Sequence, residues 1–222
     1  AIIALSIAVG WYLIATNSRM RASETLSQTD PTPQLPAIKA LLQQPAVRII
    51  LLMSIGVFLV NHSLNNWLPE ILKNTGMTLI EAGYWAAIPT VIGILGSLTI
   101  PRLATPGRRF PILLALTALA ALATLLLQFS ETPLQFSGLL LQGIARSSMM
   151  TVLILTLVEL PGIGEKNAGL ASGLFFSAAE VGGVLGPVTL GLFYDATGNF
   201  TLALATLTLV CLVLLIATAH LK

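Results

Sequence analysis

The chain has 222 residues, of which 55% are hydrophobic and only 9% are charged, with a net charge of +2. Soluble domains carry about 25% charged residues, and the few charges here lie between apolar runs, not along helix faces. The composition therefore excludes a soluble helical bundle and indicates an integral membrane protein. The single cysteine, Cys211, lies in the last apolar run, so no internal disulfide is possible.

The chain begins inside an apolar run, residues 1–16. No positively charged segment precedes this run, so we interpret it as a truncated transmembrane helix and not as a signal peptide. Residues 17–45 form the only long polar stretch, and its three prolines, Pro31, Pro33 and Pro36, predict a flexible linker. The end of this linker, LPAIKALLQQP, predicts a short amphipathic surface helix that stops before Pro45.

Residues 46–222 contain six further apolar runs. Each is long enough to cross a bilayer as a helix, which takes about 20 residues. We place these spans at residues 46–72, 82–104, 110–128, 134–158, 168–193 and 200–219. With the opening run, the sequence predicts an all-α membrane protein with seven transmembrane helices.

Basic residues are distributed unequally between the two ends of these helices. The linker end has nine of them, namely Arg19, Arg21, Lys39, Arg48, Arg102, Arg108, Arg109, Lys166 and Lys222, and the opposite end has only Lys73. Positive charge in short loops marks the cytoplasmic side. The sequence therefore predicts a cytoplasmic linker and a cytoplasmic C-terminus.

The first of the six spans contains a polar arc near its end. Asn61 and Asn65 are four residues apart, as are His62 and Asn66, so the four side chains share one side of a helix. Amides inside a membrane need partners, so the arc should face other helices or a water-filled cavity. The alternative is that these residues cap a short helix at the membrane surface, with Trp67 as its interfacial anchor.

Two later spans each carry an ionisable residue at mid-length, Arg146 and Glu180. A charge at that depth costs between about 2.5 and more than 10 kcal/mol, so it normally faces protein, water or an opposite charge. Spacing places Gly138, Gln142 and Arg146 on one face, with Met149 or Met150, and places Ser172, Phe176 and Glu180 on another. Either Arg146 binds an anionic solute while Glu180 carries a proton, or the two residues pair with each other.

The loop segment GSLTIPRLATPGRRF and the later segment GPVTLGLFYDATGNF contain two motifs that resemble those of major facilitator superfamily transporters. In the family's loop motif, a glycine in a helix precedes an acidic residue, a base and a Gly-Arg-Arg end; Pro101 stands here at the acidic position. The residues that match it in type and order are Gly96, Arg102, Gly107, Arg108 and Arg109. The segment GPVTLGLFYDATGNF resembles the end of the eleventh helix and the following turn, through Gly186, Pro187, Gly191, Asp195 and Gly198.

The resemblance implies an architecture. Residues 1–16 would end the N-terminal half, residues 17–45 would be the central cytoplasmic loop, and residues 46–222 would form the C-terminal bundle as a 3+3 inverted repeat. Details such as NNWLPEIL look most similar to the cyanate-permease-like branch, which handles small anions.

The resemblance also implies a site, because the seventh and tenth helices of the family line the central cavity and the eleventh flanks it. The implied solute-binding residues are Asn61, His62, Asn65, Asn66, Gln142 and Arg146, and Glu180 is the implied proton-coupling residue. An arginine fork suits a carboxylate or another planar anion. The implied gating residues are Arg102, Gly107, Arg108, Arg109 and Asp195.

The predicted function is secondary active transport, by alternating access, of a small and anionic solute coupled to protons. The predicted location is a bacterial cytoplasmic membrane, and the predicted partner is a missing N-terminal half of the same protein. The alternative is a self-contained seven-helix receptor or structural membrane protein. No enzyme, cofactor, metal or nucleic-acid partner is predicted, because no nucleophile with a base and no metal-ligand set share one depth.

Overall fold

A computed structural model describes residues 34–221 and, before them, only Ser6, Trp11 and Tyr12. The predicted span at residues 1–16 and most of the linker therefore lie outside the described residues, and the predicted boundary after residue 45 stays a prediction. Internal contacts divide the chain into two units, Ala1–Lys39 and Ala40–Lys222. The description that follows concerns the second unit.

All regular elements among the described residues are α-helices. They are α1 (Gln34–Gln43), α2 (Pro45–Asn74), α3 (Leu79–Leu103), α4 (Arg109–Leu126), α5 (Thr132–Val158), α6 (Gly164–Thr197) and α7 (Thr201–His220). Helices α2 to α7 are long and apolar enough to cross a membrane. They agree with the six predicted spans to within about four residues at each end, which is the usual uncertainty of boundaries read from sequence.

Local sequence explains where several helices begin and end. Pro45 stands in the first turn of α2, where a missing N–H costs nothing, and α1 ends just before it, as predicted. Thr78 and Glu81 form a capping box that begins α3. Gly198 ends α6 in the left-handed conformation, with a φ of 71°.

Two pairs of helices pack with their backbones close together, α2 with α6 and α3 with α5. Gly182 and Gly186 of α6 lie against the carbonyl groups of Ile55 and Leu59 on α2, and a Cβ at either glycine would collide with them. A Cβ at Gly143 of α5 would lie 2.6 Å from the Pro89 carbonyl oxygen of α3. Small residues at helix contacts are how membrane helices come close, so the predicted packing face of Gly182 and Gly186 is confirmed.

Helix α4 lies between α5 and α7. Gly138 of α5 faces α4, where a Cβ would lie 3.2 Å from the Ala123 carbonyl oxygen. The expected common face of Gly138 with Arg146 is therefore wrong, because each step of four residues turns a helix by about 40°. From Gly138 to Arg146, two such steps rotate the direction of the side chain by about 80°, from helix α4 to helix α2.

Helices α3 and α6 each present a row of exposed apolar side chains. The rows are Val91, Ile94, Leu95 and Leu98 on α3, and Val181, Val184, Leu185, Val188 and Leu192 on α6. Lipid tails are as apolar as these residues, so such surfaces are stable against either lipid or another helix bundle. The polar groups of the candidate site differ in character from these apolar rows.

Candidate functional site

The polar arc lies inside helix α2 and not at its end. The helix continues for two turns beyond Asn66 and ends at Asn74. The alternative in which the arc caps a short helix is therefore wrong. Trp67 is also not a free interfacial anchor, because its indole Nε1 donates a hydrogen bond to the Pro187 carbonyl oxygen of α6 at 3.0 Å.

Asn65 connects this arc to helix α5. Arg146 Nη1 donates a hydrogen bond to Asn65 Oδ1 at 3.1 Å, and the guanidinium is half-buried. No carboxylate lies within ion-pair distance of Arg146 in the described part of the chain. Because arginine has five N–H donors, most of them are available to a ligand.

Gln142 lies one turn before Arg146 and is 4% exposed. Neither its amide nitrogen nor its amide oxygen has a hydrogen-bond partner in the described structure. A buried amide without partners costs free energy, and such groups normally meet water or a ligand. Gln142 is therefore a second polar group near Arg146 whose hydrogen-bonding capacity is unused.

Glu180 of α6 is exposed and has no ion pair or hydrogen bond among the described residues. The alternative in which it pairs with Arg146 is not found, since Arg146 turns toward Asn65. A polar group of α2, the His62 imidazole, approaches Glu180 instead. Both Glu180 Oε2 and His62 Nδ1 lie close to the bare Cα of Gly183, at 3.1 Å and 3.0 Å from where its Cβ would be.

An aromatic ring of the same helix packs on His62. The Phe58 ring stacks on the imidazole with a centroid distance of 5.3 Å and an interplanar angle of 24°. Phe176 of α6 approaches Phe58 edge-on at 6.3 Å and is itself 39% exposed. This side of α2 and α6 therefore offers an aromatic surface beside Glu180.

The remaining members of the predicted arc, Asn61 and Asn66, form no hydrogen bond to another helix among the described residues. Asn66 Nδ2 donates to the His62 carbonyl oxygen in the same helix at 2.8 Å, and Asn61 is half-buried. Asn66 also lines a cavity of about 490 Å³ with Trp67 and Asp195 at the end opposite the arginine-rich loop. Asp195 therefore lies at the other end of the bundle from the other predicted gating residues.

At the arginine-rich end, Arg109 forms two hydrogen bonds with Glu159, both of 2.6 Å, and its Nε donates to the Ala104 carbonyl oxygen at 3.1 Å. These contacts join the start of α4 to the end of α5 and to the preceding loop. Hydrogen bonds from the guanidinium hold the pKa of the Glu159 carboxyl below its ordinary value. Arg102, Gly107 and Arg108 are exposed.

Glu159 was not among the predicted site residues. The signal that could have found it is its position, because it directly follows a span that ends on the same side as the arginine-rich loop. Buried Gln135 was also missed; its Nε2 has no partner in the described structure. Nothing in a single sequence distinguishes it from a helix-end amide.

The fold and this arrangement can be compared with known proteins. The family model described as Major Facilitator Superfamily matches residues 1–187. This chain belongs to the Major Facilitator Superfamily. Because that family consists of membrane transporters, and six described helices are long and apolar enough to span a membrane, the chain is a multi-pass integral membrane protein of a transporter family.

One relative is a protein of Acinetobacter baumannii named "Quinolone resistance transporter", which is 34% identical over 182 residues. The match covers 80% of this chain and 41% of the relative, so the chain spans about two fifths of the relative's length. A solved structure with a similar fold is the in meso crystal structure of the POT family transporter PepTSo. Its TM-score is 0.62 at 13% identity, over 79% of this chain and 37% of that one.

Proposed function

We propose that this major facilitator chain forms the C-terminal bundle of a secondary active transporter that moves a small organic anion by alternating access. The observation that carries the proposal is that Arg146, at mid-span, hydrogen-bonds only to the neutral amide of Asn65 and forms no ion pair among the described residues. A guanidinium kept in a membrane without a carboxylate needs another source of compensation. An anionic solute in a hydrated cavity supplies it.

The proposed cavity lies between this bundle and a second bundle of the same protein. The supporting observation is that two polar residues of the membrane-spanning helices, Asn65 and Glu180, are exposed, which suits a hydrated passage better than lipid. The limited share of the relatives' length that the chain covers agrees with a partner bundle elsewhere in the protein. Under this proposal the alternative of a self-contained receptor or structural protein is set aside.

The proposed solute carries a planar carboxylate. The Arg146 fork can donate two parallel hydrogen bonds to such a group, and the unpaired amide of Gln142 lies one turn away. Quinolones are planar aromatic carboxylic acids, and the name of the Acinetobacter relative favours them as test solutes. Transport of such compounds is a better starting hypothesis than the cyanate-permease-like activity, which no comparison supports.

We assign the coupling of protons to Glu180. A carboxylate at mid-depth that lacks a cationic partner can take up and release protons as its surroundings change from wet to dry. Because Arg146 does not neutralise it, binding of a proton and binding of an anion can occur at separate groups. Transport of the two together then follows from one conformational change of the bundle.

The Arg109–Glu159 pair is assigned to the gate on the cytoplasmic side, together with Arg102, Gly107 and Arg108, and Asp195 is assigned to the opposite end. The 3+3 inverted repeat, with α2 to α4 related to α5 to α7, is supported by the packing. Exchanging the two units converts the α2–α6 contact into the α5–α3 contact, and glycines mediate both.

The test is transport by the full-length protein in proteoliposomes, with a panel of carboxylic acids that includes norfloxacin as the quinolone and benzoate as a small aromatic acid. Arg146→Ala and Glu180→Gln are compared with the parent. We expect Arg146→Ala to lose transport of the acids, and Glu180→Gln to lose the pH dependence of transport. Normal transport by Arg146→Ala would remove the anion site, and an unchanged pH profile in Glu180→Gln would remove the coupling role.

A further inference from the structure

His62 and Glu180 approach each other where α2 and α6 are closest. Their Nδ1 and Oε2 atoms lie 3.0 Å and 3.1 Å from the Cβ position that Gly183 leaves empty, so they are closer together than the sum of these distances. No ion pair joins these two side chains, so the two atoms are more than 4.0 Å apart. A gap of this size between two polar atoms is one that a single water molecule can bridge.

We propose that His62 and Glu180 together hold the one proton that is coupled to transport. His62 then belongs to the proton site and not to the solute site. This inference rests on the proposed proton-coupled function and adds to it a second protonatable residue and a required glycine.

Two features of the surroundings favour a shared proton. The stacked ring of Phe58 fixes the plane of the imidazole, and Gly183 lets both polar atoms reach the same point of the backbone. A bulkier residue at position 183 would separate them. Histidine changes its charge between about pH 5 and 8, which is the range in which a coupling proton has to bind and leave.

The charges around the pair limit it to one proton. Arg146 of α5 faces α2 through Asn65, one turn from His62. Helices α3 and α7 also pack on α2, but Glu81, Tyr84, Arg102 and His220 lie toward their ends, and Cys211 of α7 is a buried thiol. With no proton the pair has a charge of −1, and with one it is neutral. A second proton would add a positive charge to a bundle in which the charge of Arg146 is already uncompensated, which repulsion disfavours.

The first test needs no solute. Infrared spectra of the full-length protein are recorded as the pH is changed, and the carboxyl band that disappears in Glu180→Gln identifies Glu180. We expect the imidazole and carboxyl signals of the parent to change with a common midpoint. His62→Asn and, as a second variant, His62→Gln should displace the carboxyl midpoint by about one pH unit or more, the shift expected for strongly coupled groups.

The second test uses the glycine. Gly183→Ala keeps both titratable groups but puts a methyl group between them, so it should displace the same midpoint in the direction seen with His62→Asn. The matched control is Gly173→Ala on the same helix, where an added Cβ has nothing within 4 Å. This control should titrate like the parent.

The inference is overturned if the Glu180 carboxyl titrates identically in the parent, His62→Asn and Gly183→Ala. Failure of the proposed function looks different. In that case the pair titrates as described, but transport by Glu180→Gln keeps the pH profile of the parent. A solute-binding role for His62 would raise the KM for norfloxacin in His62→Asn while leaving the infrared midpoint unchanged, and that result also contradicts the shared proton.

Discussion

Arg109 and Arg146 are both arginines, but they differ in the hydrogen-bond partners that the protein gives them. Arg109, at the end of the bundle, makes two hydrogen bonds to the Glu159 carboxylate and a third to a backbone carbonyl. Arg146, at mid-span, makes one hydrogen bond to a neutral amide. The protein therefore neutralises the charge of Arg109, whereas it orients Arg146 without neutralising its charge.

The difference indicates which of the two is available for binding. A guanidinium that is already paired bidentately offers a solute few donors, whereas one held by a single amide has its orientation fixed and its charge uncompensated. The different depths of the two residues in the membrane lead to the same conclusion. The charge of Arg109, at the end of the bundle, is compensated by Glu159, while an unpaired charge at mid-depth is costly and is normally functional.

The largest expected effect is that of Arg146→Ala on transport. Because the anion would lose the guanidinium proposed to bind it, we expect the rate of norfloxacin transport at low concentration to fall by at least about 100-fold, the loss typical of truncating a desolvated charge pair. The rate is measured in proteoliposomes with equal amounts of protein. Arg146→Lys, which keeps the charge but loses the fork, should recover only part of the activity, and full activity in Arg146→Ala would contradict the account.

A substitution at Asn65 can make Arg146 resemble Arg109. Asn65→Asp gives Arg146 a carboxylate partner, so the protein itself should occupy the anion site. We expect KM for norfloxacin to rise by about tenfold, which corresponds to a loss of 1.4 kcal/mol in binding. The control is Asn65→Gln, which stays neutral. A KM in Asn65→Asp equal to that of the control would show that the pairing of Arg146 does not govern solute binding.

The Arg109–Glu159 contact should matter for stability more than for binding. Arg109→Gln and Glu159→Gln should each lower the melting temperature of the purified protein by a few degrees, with KM for the solute unchanged. In the exchanged double variant, Arg109→Glu with Glu159→Arg, opposite charges face each other again, and part of the loss should be recovered. Purely additive losses in a double-mutant cycle would argue against the contact.

The smallest effect concerns pH. The pKa of Glu159 is lowered in the folded protein by its hydrogen bonds with Arg109, so its contribution to stability is complete above the ordinary pKa of glutamate and is lost as the pH falls through the lowered value. The melting temperature of the parent should therefore decrease on acidification somewhat more steeply than that of Glu159→Gln. Parallel curves for the two proteins would contradict this assignment.

The spans and the mid-depth charges could be predicted from the sequence, because hydropathy is a local property and a charge inside an apolar run is visible at once. Glycine contacts could be predicted for the same reason, as with Gly182 and Gly186. The short helix before Pro45 was also a local signal, and it is confirmed as the helix Gln34–Gln43.

Partners of the charged residues could not be predicted, because they come from distant parts of the chain. Asn65 and Arg146 are 81 residues apart, and Arg109 and Glu159 are 50 apart. The sequence also could not predict where α2 ends, since its four polar residues and Pro69 fit either a helix end or an interrupted span. In the structure this segment is helical and packs on α6, a contact that includes the hydrogen bond from Trp67.

The most direct test of the central claim is whether water reaches position 146. Arg146→Cys is introduced into the full-length protein after its other cysteines, including Cys211, have been replaced, and it is treated with a charged, membrane-impermeant thiosulfonate. We predict labelling that norfloxacin slows, and no labelling of Leu209→Cys on the exposed apolar side of α7. If Arg146→Cys is as unreactive as Leu209→Cys, then Arg146 faces no hydrated passage and the transport site lies elsewhere.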